Sequence, residues 1–136
     1  VLLAKRYSVV ELGLLDILEM KIEEFREVFR KMPIKRLKLR GLLRNACIVA
    51  GNLREESDWS EGRLDSDWGK RVMDSLIRLA SYEEAMVRPH AVWALFRLWE
   101  ADTPELLADT RALESDEDTL EEYSWWENAL SSEKRD

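Results

Sequence analysis

Apolar residues recur along this chain at three- and four-residue spacings, and no stretch alternates apolar and polar positions as a half-buried strand would. Ser8, Val9, Val10 and Glu11 have the S-x-x-E capping-box form and precede Leu12, Leu14, Leu15, Ile17 and Leu18, which predicts a leading helix within residues 1–19 despite Gly13. Ile22, Phe25, Val28, Phe29 and Met32 mark one amphipathic face that Pro33 ends. A further helix is predicted from about Leu37 to Asn52, with Leu39, Leu42, Leu43, Ala46, Cys47, Val49 and Ala50 apolar. Gly51 and Asn52 are expected to stop it, because these residues most easily adopt the left-handed conformation at a helix end.

The pattern then fails. LREESDWSEGRLDSDW, from Leu53 to Trp68, is dominated by Glu, Ser, Asp and Gly and predicts an acidic surface loop over residues 53–67. Amphipathic periodicity resumes with Val72, Met73, Leu76, Ile77, Leu79 and Ala80. Ser81 to Glu84 repeats the capping-box form, and Pro89 suits the first turn of the next helix, where its missing N–H is not needed. That helix, VRPHAVWALFRLWE, is apolar on most sides, as an inner layer would be. Thr103 and Pro104 open another through Leu106, Leu107 and Leu113, and the acids at Asp116, Glu117 and Asp118 lead into a last one with Leu120, Tyr123, Trp126 and Leu130 on one face.

An internal repeat organises these elements. LRNACIVAG (Leu43 to Gly51) set over VRPHAVWAL (Val87 to Leu95) pairs Arg44 with Arg88, Cys47 with Ala91, Ile48 with Val92 and Ala50 with Ala94, at an offset of 44 residues. Each copy follows an amphipathic helix, so the unit is a helix pair, with a period inside the about 40 to 47 residues of HEAT and armadillo repeats. The expected fold is therefore all-α, an α-α superhelix or HEAT-like solenoid of about three helix pairs. Residues 1–136 form one domain: a leading helix at 1–19, pair 1 at 20–52, the acidic loop at 53–67, pair 2 at 68–100 and pair 3 at 103–131. Glu121 stands in the third pair where the arginine would be.

Charge changes the picture. The net charge of −7 argues against a polyanionic partner, but it is unevenly spread. From Val28 to Arg54 there are eight basic residues (Arg30, Lys31, Lys35, Arg36, Lys38, Arg40, Arg44, Arg54) and no acidic one, whereas Glu100 to Asp136 holds 13 acids against Arg111, Lys134 and Arg135. The basic run reads either as a solvated face balancing acids elsewhere or as a phosphate-binding patch, with Lys35, Arg36, Lys38, Arg40 and Arg44 as its RNA-contacting residues. The single cysteine, Cys47, excludes an internal disulfide and an iron–sulfur cluster in this chain, and a reducing, cytoplasmic setting is expected. No apolar run approaches the roughly 20 residues of a membrane span. Cys47 and the lone His90 read as packing residues; no nucleophile–base pair, metal-ligand cluster or phosphate loop is present, so this chain alone is not expected to be an enzyme. It begins with Val1, which points to a piece of a longer protein.

GLLRNACIVAGN, preceded by IEEFREVFRKMPIKRLKLR and followed by MVRPHAVWALFRLW, resembles the C-terminal HEAT-like domain of epoxyqueuosine reductases. The family patterns EEEFRxxFxxSxIxRxxRxGLxRNxxxALGN and PLVRxHAAWAL match at Glu23 to Arg26, Phe29, Ile34, Arg36, Arg40 to Leu42, Arg44, Asn45, Gly51 and Asn52, and at Val87, Arg88, His90, Ala91 and Trp93 to Leu95. The resemblance covers roughly Leu12 to Trp99. It implies a module that helps grip a tRNA while an upstream region, carrying cobalamin and two four-iron clusters, reduces epoxyqueuosine to queuosine. The alternative is a protein-interaction solenoid whose basic and acidic ends recruit a partner protein or each other.

Overall fold

The computed structural model describes residues 13–30 and 38–135, with side chains through residue 133. Every regular element among the described residues is helical: α1 Leu14–Leu18, α2 Ile22–Phe29, α3 Leu39–Gly51, α4 Gly62–Asp65, α5 Asp67–Leu79, α6 Arg88–Trp99, α7 Thr103–Leu106, α8 Ala108–Leu113 and α9 Glu117–Arg135, with 3₁₀ turns at Leu53–Glu55 and Glu100–Asp102. The all-α expectation holds for these residues.

Helix α6 lies at the centre. It packs on α3, on α5 and on α9, while α1 lies against both α3 and α5. Side-chain contacts fix the directions. Arg97 near the end of α6 bonds the last carbonyl of α3, and Arg88 at the start of α6 pairs with Glu114 just before α9, whereas Phe96 near its end stacks on Trp126 of α9. Thus α3, α6 and α9 run the same way, side by side, with α6 in the middle and α5 and α1 behind.

The apolar stripes face inward as their spacing requires. Leu42, Leu43, Ala46, Cys47 and Ala50 of α3 and Ala91, Val92, Ala94, Leu95 and Phe96 of α6 are all at most 1 % exposed. Burying each large aliphatic or aromatic side chain here contributes about 1.5–3 kcal/mol. Small residues at Ala46, Ala50, Ala91 and Ala94 let the helix backbones approach closely.

Four expectations are corrected. Gly51 and Asn52 do not end α3 by a left-handed turn: Gly51 is the last helical residue and Asn52 has φ −95° and ψ 5°. The glycine is needed for space, because a Cβ there would overlap the Trp93 ring. Ser81 to Glu84 cap nothing; α6 starts at Arg88 behind Val87, with Pro89 in its first turn as expected. The segment from Leu53 is more than a surface loop. Leu53 and Leu64 are buried, Ser66 caps α5 by accepting from Gly69 N (3.1 Å), and the Arg63 guanidinium sits between the rings of Trp59 (5.8 Å) and Trp68 (4.9 Å). Arginine–tryptophan stacking supplies the order that hydropathy does not announce. Finally, α2 buries no residue fully, and α1 rather than α2 is the helix packed firmly against α3. Phe25 and Phe29, 4.9 Å apart, only rest on the core's edge. The capping box at Ser8 and the helix stop at Pro33 lie outside the described residues.

Arginines also tie the helix ends together. The C-terminal carbonyls of a helix lack intrahelical donors and carry partial negative charge. Arg54, just past α3, donates to Arg97 O (2.9 Å) and Leu98 O (2.8 Å) at the end of α6, while Arg97 of α6 donates to Gly51 O (3.1 Å) at the end of α3. Arg78 likewise donates to Leu18 O (2.7 Å) at the end of α1. Glu100, which follows α6, has φ 45° and ψ −116°, a conformation that side-chain-bearing residues rarely adopt, and its carboxylate meets Arg54 Nη2 at 2.9 Å.

Candidate nucleic-acid interface

The basic run divides among three fates. Lys31, Lys35 and Arg36 lie outside the described residues. Arg30, Arg40 and Arg54 are paired with carboxylates: Arg30 with Glu27 (3.5 Å), Arg40 with Glu84 (3.5 Å), and Arg54 with Glu61 (2.5 Å) and Glu100. That is the behaviour of a face balancing acids elsewhere in the fold. Lys38 and Arg44 are paired with no carboxylate among the described residues. Lys38 is exposed at the N-cap of α3, and Arg44, nearly two turns further on, touches only Met86 Sδ (3.9 Å) and Asn45 Oδ1 (3.4 Å).

Of the five residues expected to contact RNA, the described structure therefore brings Lys38, Arg40 and Arg44 to the N-terminal half of α3. It leaves Lys38 and Arg44 unneutralised. An open groove of about 370 Å³ between α2 and the start of α3 is lined by Phe25, Lys38, Arg40 and Tyr82, and also by Glu83 and Glu84, so its charge is mixed.

His90 lies on the same side of the molecule, one turn beyond Met86. Its Nδ1 donates to Met86 O (3.1 Å), which leaves Nε2 as the acceptor. Burial lowers its pKa, the Met86 carbonyl works against that shift, and Arg44 nearby lowers it further. The imidazole is thus neutral near pH 7 and held by the turn that precedes its helix. Cys47 is fully buried and burial pushes its thiol up to about 12, so it offers no thiolate for a cluster or a covalent step. With Cys47 its single cysteine, this chain cannot by itself supply the four thiolates that a four-iron cluster takes. Among the described residues no group of three or more His, Cys, Asp or Glu side chains is placed to hold a metal ion, and no helix is long and apolar enough to cross a membrane.

Two further clusters were not legible beforehand. Arg88 makes a bidentate pair with Glu114 (Nε to Oε1 and Nη2 to Oε2, both 3.0 Å) and also donates to Tyr82 O (2.9 Å); the Glu114 side chain is only 3 % exposed and accepts from Ser115 N and Asp116 N as well. The repeat alignment marked Arg88 but not its partner, which lies 26 residues away. The second cluster is aromatic. Trp125 and Trp126 of α9 meet edge to face (4.8 Å, 83°) beside Trp93 of α6, and Trp125 is 60 % exposed. The periodicity of α9 places Trp126 on the inner face, and only the adjacency of the two tryptophans hints that one points outward.

Comparison with protein-family models, with curated proteins and with solved structures finds no match to this chain.

Proposed function

We propose that this chain is a non-catalytic holding module, a HEAT-like α-solenoid of about three helix pairs, that grips tRNA in the manner of the C-terminal domain of epoxyqueuosine reductases. The three parallel helices α3, α6 and α9, backed by α5 and α1, support the stacked-pair reading. The observation that carries the tRNA reading is that Lys38 and Arg44, both in the N-terminal half of α3, have no carboxylate partner among the described residues, so a phosphate backbone would find cations there not already spent on carboxylates. On this reading the chemistry belongs to an upstream iron–sulfur domain in the reducing cytoplasm, and the helical module supplies position alone.

A tRNA titration of the chain at low salt tests it. Binding should weaken steeply with salt, and the double variant Lys38→Glu/Arg44→Glu should lower the salt slope by about 2, one phosphate contact per cation at roughly 0.9 each. Absence of binding at low salt, or an unchanged slope in the double variant, refutes it. The alternative, a protein-interaction solenoid that ignores nucleic acid, draws support from the carboxylate pairing of Arg30, Arg40 and Arg54.

A further inference from the structure

The aromatic cluster between α6 and α9 has the composition of a site for an organic cation. Trp125 and Trp126 stand nearly perpendicular and form a corner; Trp93 supplies a third wall, and Glu122, one turn before Trp126, places a carboxylate at the edge of a cleft of about 390 Å³. Trp126 is anchored by its ring, which is stacked parallel on the buried Phe96 at 5.5 Å. The remaining wall, Arg97, is already committed. Its Nε donates to Gly51 O, its Nη2 is paired with Glu55, and its guanidinium lies over Trp93 at 5.6 Å. With Arg97 offset by Glu55, the charge left facing the cleft is the carboxylate of Glu122.

The surroundings extend that sign. Asp118 and Glu121 are exposed on the same helix, each one turn from Glu122 or Trp125. Partial burial raises the pKa of Glu122, the neighbouring Trp126 indole opposing it, and an incoming cation would favour the charged form. An indole face attracts a cation through its quadrupole, best of the aromatic side chains. Of these acids Glu122 lines the cleft, and Asp118 and Glu121 extend a negative field along the same helix that disfavours phosphate.

We propose that the Trp93–Trp125–Trp126 cleft, with Glu122 at its edge, is a docking site for the ammonium of a lysine side chain, free or methylated, presented by a basic peptide of a partner protein. The site lies apart from Lys38 and Arg44, uses the opposite charge, and stands independently of the tRNA reading.

The test is a titration of the full chain, observed through the indole N–H resonances of Trp93, Trp125 and Trp126, with three synthetic basic peptides that differ at one position: lysine, trimethyllysine or the uncharged norleucine. The lysine and trimethyllysine peptides should shift these resonances, and the norleucine peptide should bind at least about fivefold more weakly. Trp125→Ala, at a side chain exposed enough to be removed without unfolding the chain, and Glu122→Gln should each weaken binding by about fivefold with unchanged circular dichroism. Equal binding of the norleucine peptide overturns the proposal, as does failure of every peptide to move the indoles. A single-stranded RNA oligomer that moves the same resonances in preference to the lysine peptide also overturns it.

Discussion

Helices α3 and α6 carry the two segments that align in the sequence, LRNACIVAG and VRPHAVWAL, yet aligned positions in them do different work. Arg88 is locked by a bidentate, nearly buried carboxylate and a backbone carbonyl, whereas its counterpart Arg44 touches a thioether and the amide beside it. Gly51 and Leu95 are also counterparts; the glycine makes room for an indole, and the leucine fills the core. The difference comes from neighbours. The α6 helix is enclosed by α3, α5 and α9, so its polar side chains must find partners inside the protein, while in the N-terminal half of α3 Lys38 and Asn45 are exposed and Arg40 and Arg44 half-buried. A repeat thus fixes where a side chain stands and leaves its role to whatever packs beside it.

Removing Arg88 should separate the two segments most sharply. Arg88→Met leaves Glu114 charged, buried and unpaired, and should destabilise the chain by about 3 kcal/mol in urea unfolding. Adding Glu114→Gln should recover part of that loss, since a neutral amide no longer carries a buried charge. A cost below about 1 kcal/mol for Arg88→Met would show that the pair does not anchor α6 to the turn before α9.

A smaller effect is expected at Gly51. Alanine would gain up to about 1 kcal/mol of helix propensity, but its methyl collides with Trp93, and overpacking costs about 1–3 kcal/mol, so Gly51→Ala should be net destabilising. In a Trp93→Ala background the same change should become neutral or stabilising. Failure of the sign to change in that double-variant cycle would mean that the ring is not the constraint.

The smallest effect belongs to Arg44. Arg44→Ala should alter stability by no more than about 0.5 kcal/mol, because the side chain has no carboxylate partner among the described residues. A cost approaching that of Arg88→Met would erase the contrast between the segments and place Arg44 in the framework.

Much of the helical content was legible, for a definite reason. The apolar spacing of α3, α5, α6 and α9 is long and regular; α3, α5 and α6 each bury most of the stripe that the sequence displays, and α9 buries Tyr123 of its stripe with Leu120, Trp126 and Leu130 half-buried. The segment from Leu53 to Trp68 was not legible, because its order rests on Arg63 lying between two indoles and on only Leu53 and Leu64 of the segment entering the core. Helix α2 misled in the other direction: its stripe is the clearest of the early ones, yet it buries nothing fully. For the candidate interface, a run of cations could be counted in the chain. Which of them are neutralised could not, since Glu84, Glu61 and Glu100 reach Arg40 and Arg54 only through the fold.

The sequence by itself determined that this is a helical protein and which faces of the long helices are apolar, because periodicity and small-residue spacing are local properties of a chain. Tertiary structure alone decided that Arg54 and Arg97 cross to hold each other's helix ends, that Gly51 exists for Trp93, and that Trp93 of α6 meets Trp125 and Trp126 of α9. Those outcomes depend on which helix lies beside which, and local spacing carries no record of that.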